Sequence, residues 1–189
     1  MNRTQLEHII RAASQISGDA EIVVIGSQAI HAQDGKLPPV AFQSAEADVY
    51  PRNHPERADD IDAAIGELSR FHETHGYYAH GVSPRTATLP AGREQRLVRI
   101  VSPNTEGAIG LCLDVHDLVL SKYAAGREKD LGFNRAIVGH GIVGKRKLAG
   151  LVATMPVDDA RKRLILDRIK ADFAAANPHR GRSPKLHKS

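Results

Sequence analysis

Residues 21–32 read Glu21-Ile22-Val23-Val24-Ile25-Gly26-Ser27-Gln28-Ala29-Ile30-His31-Ala32. A β-branched run ending in Gly-Ser predicts a buried strand, a tight turn and a short helix after it. The next candidate strand, Ala45 to Tyr50, carries Glu46-Ala47-Asp48 and is stopped by Pro51. Side chains alternate along a strand, so Glu46 and Asp48 share one face while Ala47 and Val49 turn to the core. Between the two strands, Gln33 to Gln43 hold Pro38-Pro39, which deny both helix and ladder hydrogen bonds, and this segment is a loop.

Outward from this pair, Leu6, Ile9, Ile10, Ala13 and Ile16 stand at helical spacing and Gly18 ends their helix. Asp59 and Asp60 are placed to cap a second helix in which Ile61, Ala64, Ile65, Leu68 and Phe71 share a face, with Gly76 as its stop. Three short extended segments follow at Tyr77–His80, Thr86–Leu89 and Arg96–Val101, separated by Pro and Gly. From Val115 the pattern is helical to Ala176, broken at Gly126, Gly139 and Pro156. The expectation is an α+β core over 1–114, a helical portion over 115–176 and a disordered basic tail over 177–189.

With 189 residues, 41% hydrophobic and 25% charged, the chain is long and apolar enough to bury its own core. A single cysteine, Cys112, excludes an intramolecular disulfide and a cysteine-based zinc site, and with no signal-peptide pattern a reducing cytoplasm is the expected location. No run approaches the ~18 apolar residues of a membrane-spanning helix. The formal charge of +4 belongs to the tail: Arg180, Arg182, Lys185 and Lys188 are 4 of the 26 bases, leaving 22 against 22 acids elsewhere. A neutral body argues against a large RNA footprint, and the tail is given no specific function.

Two constellations carry chemistry. Adjacent carboxylates such as Glu46 and Asp48 repel unless a hard divalent cation lies between them, and Mg²⁺ takes one or two carboxylates together with substrate phosphates. Gly26 would let backbone approach a triphosphate, and Ser27 with the amides after it could donate hydrogen bonds to it. The second constellation is Asp117-Leu-Val-Leu-Ser121-Lys122 leading into Gly126-Arg127-Glu128-Lys129-Asp130. Asp117, Ser121 and Lys122 are read as adjacent on one helical surface, with Lys122 available as a point charge for phosphate and Asp130 to orient it or complete a metal site.

The order Gly-Ser, acid-x-acid on the next strand, a Lys-x-x-Ala helix and then Gly-Arg-x-Lys-Asp resembles the nucleotidyltransferase superfamily, in particular the branch related to AbiEii-type toxins of toxin–antitoxin systems. The likeness runs from about Ile22 to Phe133. It implies a nucleotidyltransferase-like mixed sheet packed with helices, with Gly26 and Ser27 on the nucleotide phosphates, Glu46 and Asp48 on Mg²⁺, Lys122 on phosphate and Asp130 as a further acidic site residue. The activity implied is Mg²⁺-dependent transfer of a nucleoside monophosphate from an NTP to a tRNA 3′ end or a protein hydroxyl, with an antitoxin as partner. A catalytically degenerate module that binds nucleotide or a protein is the alternative. Two departures separate the two readings, Glu46 where aspartate is usual and arginines rather than a third acid on the candidate strand Arg96–Ile100; the 18-residue spacer between Ser27 and Glu46, and Phe133 where the toxin branch carries a second acid, are further departures from the family pattern.

Other motifs carry less. Gly139-His-Gly-Ile-Val-Gly144 matches a dinucleotide fingerprint but follows a helix rather than a strand. His72-Glu-Thr-His75, with His80 beyond, falls one residue short of a zinc signature. Cys112 lies in an apolar run and reads as an inert buried thiol, while Lys145-Arg-Lys147 and Arg161-Lys-Arg163 read as solvated helix faces.

Overall fold

A computed structural model describes residues 1–176; the expected basic tail at 177–189 lies outside the described residues. The fold is α+β. Five strands, β1 (Glu21–Val24), β2 (Glu46–Pro51), β3 (Tyr78–Gly81), β4 (Val98–Ile100) and β5 (Ile109–Cys112), form one mixed sheet in the order β3-β2-β1-β5-β4. β1 runs antiparallel to β2 and parallel to β5, β2 and β3 are parallel, and β4 returns antiparallel on β5.

Helix α1 (Arg3–Ser17) is set by a capping box between Asn2 and Gln5 and stopped by Gly18 in the left-handed region. Its apolar stripe of Leu6, Ile9, Ile10 and Ala13 is buried, and Ile10 lies so close over β5 that a Cβ on Gly110 would stand 2.5 Å from its Cδ1. A glycine there lets helix and sheet approach. After β5 every element is helical: α4 (Val115–Ala125), α5 (Glu128–Gly139), α6 (Lys145–Val152) and α7 (Asp159–Ala176). Two α7 arginines reach the end of α4, Arg161 donating to the Ala124 carbonyl and Arg168 to that of Tyr123, so orphan carbonyls at the helix end are satisfied by charge. The Tyr123 hydroxyl donates to Asp172 at 2.6 Å, a further tie between the two helices.

Four local expectations are corrected. The single helix expected from Asp59 to Gly76 is two, α2 (Ala58–Ile65) and α3 (Arg70–His75). Gly66 ends the first, Ser69 caps the second through His72 N–H, and between them Leu68 takes φ 64° and is 82% exposed rather than part of a buried face. Asp59 and Asp60 lie in the first turn of α2 and do not cap it. Residues 86–89 join no strand. β5, quoted from the sequence only as an apolar run, is an inner strand of the sheet, and its Gly110, Leu111 and Cys112 are buried.

Candidate functional site

The turn after β1 and the near end of β2 build the first wall. Ile25 N–H donates to the Asp48 carbonyl at 3.0 Å, which holds the Gly26-Ser27 corner against β2. Ala47 and Val49 are fully buried, leaving Glu46 and Asp48 on the opposite face, as period two requires. The Asp48 carboxylate occupies the space where a Gly26 side chain would begin: a Cβ there would stand 1.9 Å from Oδ2. Glycine at 26 therefore serves Asp48 as well as any ligand. On β3, His80 is in register with Asp48, and its Nδ1 lies 3.0 Å from Glu46 Oε1 and 3.4 Å from Asp48 Oδ1. Tyr78, in register with Glu46, has its phenol pushed above the ordinary range by burial and then by the carboxylates of Glu46, Glu67 and Asp48. The local field is negative.

The second wall is cationic. Lys122 on α4 donates to Asp130 Oδ1 at 2.9 Å and lies 4.6 Å over the ring of Phe133. Arg127, just before α5, donates to the other oxygen of Asp130 at 2.5 Å. Burial drives the Asp130 carboxyl upward, but hydrogen bonds from Arg127 and Lys122 and their charges outweigh it and hold the group below the usual carboxylate value. Asp130 thus fixes two cations in place. The two walls enclose an open cleft of about 770 Å³, lined also by Ser27, Ser121, Lys129 and Arg161.

A family model described as a nucleotidyltransferase of unknown function (DUF6036) matches residues 4–148. The chain belongs to that nucleotidyltransferase family. The matched span runs from α1 into α6 and includes the cleft residues named above except Arg161 on α7. No curated protein and no solved structure matches the chain.

In this nucleotidyltransferase-family chain, Gly26, Ser27, Glu46, Asp48, Lys122 and Asp130 all line the one cleft. Asp117 does not join them. It is buried and held by two hydrogen bonds from Arg96, each 2.9 Å, so it anchors the segment before β4 to α4 instead of facing a ligand. The strand on which a third acid would be expected, β4, lies at the far edge of the sheet with β1 and β5 between it and β2. On its other side from β1, β2 is flanked by β3, which brings His80. Sequence reading grouped His80 with His72 and His75; its alternation with Tyr78 on a strand was the available signal. Arg161, read as a solvated helix face, lines the cleft, as do Thr86 and Thr88 from the expected strand that does not form. Phe133, where a second acid was expected, supplies the ring beneath Lys122.

The remaining motifs have structural surroundings of their own. His75 packs with His8, Phe71 and Tyr77, and His72 with Tyr78. Gly144 precedes α6 and donates its N–H to His116 Nε2, while His116 Nδ1 lies 2.9 Å from Asp114. Cys112 is fully buried, which pushes its thiol up to about 12 and removes it from nucleophilic chemistry.

Glu46, Asp48 and His80 offer ligand atoms within 4.8 Å of one another, the single group of three or more His, Cys, Asp or Glu so arranged among the described residues. Two part-exposed carboxylates on one face, with no Lys or Arg paired to either among the described residues, fit a hard divalent cation that keeps positions for water and phosphate. No helix among the described residues is long and apolar enough to cross a membrane.

Proposed function

We propose that this chain transfers a nucleoside monophosphate from an NTP to a hydroxyl acceptor, in a Mg²⁺-dependent reaction within the cleft. The observation that carries the reading is the charge pattern of one cavity: two carboxylates on β2, with no Lys or Arg paired to either among the described residues, share its lining with Lys122, Arg127, Lys129 and Arg161. A triphosphate with its cation complements both walls at once.

Glu46 and Asp48 hold the cation, which supplies neutralisation of charge on the phosphate oxygens. Ser27 donates its hydroxyl to a phosphate oxygen at the corner that Gly26 keeps narrow. Lys122, oriented by Asp130 and the Phe133 ring, places its ammonium against the polyphosphate as charge develops. The acceptor oxygen bonds to the α-phosphorus, the α–β bridging bond breaks, pyrophosphate leaves, and the hydroxyl proton passes to water. The acceptor class follows the resemblance to AbiEii-type toxins, a tRNA 3′ end or a protein hydroxyl, with an antitoxin as partner and the cytoplasm as location.

Incubation of purified protein and cell extract with each α-labelled NTP and Mg²⁺ tests this. Label should enter a macromolecule and Asp48→Asn should abolish the transfer. A wild-type protein that transfers no label and gains no thermal stability from any NTP with Mg²⁺ would remove the proposal.

A further inference from the structure

We infer that His80 is a third protein ligand of the cation held by Glu46 and Asp48, and that its ring nitrogen makes this site prefer Mn²⁺ to Mg²⁺. The inference rests on the cation reading above and deepens it.

Register brings the three donors together. Parallel pairing of β2 and β3 sets Asp48 beside His80, and Glu46 lies two residues back on the same face. Around a six-coordinate ion with bonds of ~2.1 Å, neighbouring donors stand ~3.0 Å apart. His80 Nδ1 is already 3.0 Å from Glu46 Oε1 and 3.4 Å from Asp48 Oδ1, so all three side chains can hold one ion without a change of strand register. Their side chains stay 38, 30 and 50% exposed for Glu46, Asp48 and His80, which leaves the remaining coordination positions open to water and phosphate oxygens.

The donor chemistry then decides the metal. Mg²⁺ binds through carboxylates, waters and phosphates and sheds its water reluctantly, so an imidazole adds little to it. Carboxylate and water suit Mn²⁺ equally, and as a first-row transition ion it also accepts imidazole nitrogen. The same ring could instead act only as a hydrogen-bonding plug between the two carboxylates. A plug and a ligand give opposite results on removal.

The test uses nucleotide-free, full-length protein. Mn²⁺ binding is followed by loss of the free-ion EPR signal, Mg²⁺ by competition, and direct nitrogen coordination by pulsed EPR. Wild-type protein should bind Mn²⁺ at least about tenfold more tightly than Mg²⁺ and show coupling to an imidazole nitrogen. His80→Ala and His80→Asn should each weaken Mn²⁺ by about tenfold, remove the coupling and change Mg²⁺ by less than about threefold. The inference is overturned if wild-type shows no nitrogen coupling, or if Mn²⁺ affinity is unchanged or higher in both variants. Asp48→Asn separates the layers. If it abolishes Mn²⁺ binding while the His80 variants do not weaken it, the cation site stands and only the His80 assignment fails; if wild-type binds neither ion, both fall. Nitrogen coupling in the wild-type needs no variant, so the test survives a substitution that misfolds.

Discussion

Gly26→Ala isolates the tightest contact in the cleft. Gly26 has φ −85° and ψ −170°, extended backbone that alanine adopts freely, so no backbone strain is introduced. The new Cβ would stand 1.9 Å from Asp48 Oδ2 and 2.8 Å from its Cγ, and the oxygen must retreat by about 1.5 Å to reach the 3.4 Å at which ordinary contact begins. Aspartate is too short to yield without turning its whole carboxylate off its rotamer, at a cost of about 1 kcal/mol and so a melting point lower by about 2–4 °C. Function should suffer more. Misplacement of a site group by about 1 Å costs on the order of 100-fold in rate, or about 2.7 kcal/mol, so metal-dependent label transfer should fall by that factor in a protein that remains folded. A double-mutant cycle with Asp48→Ala checks the cause: with the carboxylate gone, most of the stability loss should vanish, because only the residue-48 Cβ, at 3.0 Å, remains close. Wild-type transfer by Gly26→Ala, or an equal melting shift in both backgrounds, would refute the packing argument.

Two further outcomes are expected. Arg96→Ala should destabilise the fold by about 3 kcal/mol in urea titrations, because it leaves the buried Asp117 carboxylate unpaired; Asp117→Ala should cost less, since the stranded guanidinium can reach solvent, and the reverse order would contradict the assignment. Asp130 has a folded-state pKa below its ordinary 3.8, so its contribution to stability is present above that value and is lost as the pH falls below it through the folded value. Asp130→Asn should therefore flatten the acid limb of the urea midpoint below pH 3.8, and parallel curves for wild-type and variant would count against the Lys122–Asp130–Arg127 cluster.

Local pattern carried much of the fold. The 3.6-residue stripe of α1 and its Gly18 stop, the strand before Gly26, and the alternation that turns Glu46 and Asp48 away from Ala47 and Val49 are properties of short windows, where period alone decides which face is buried. The two strand windows also singled out Gly26, Ser27, Glu46 and Asp48, and the separate segment 117–130 singled out Lys122 and Asp130, all of which line the cleft. Where a stretch has no period, the reading failed. β5 is buried and continuously apolar, so alternation cannot mark it, and Leu68 completes a helical stripe on paper although Gly66 and the Ser69 cap break the helix on either side of it.

Partnership between distant segments belongs to the tertiary structure. That β3 lies parallel to β2 with His80 beside Asp48, that Asp117 meets Arg96 instead of a ligand, and that Arg161 returns from α7 to the cleft each depend on strand order and helix packing. Neighbouring residues in the chain determine which way a side chain points through backbone geometry; what it meets there is set by long-range pairing and burial, which no single window contains.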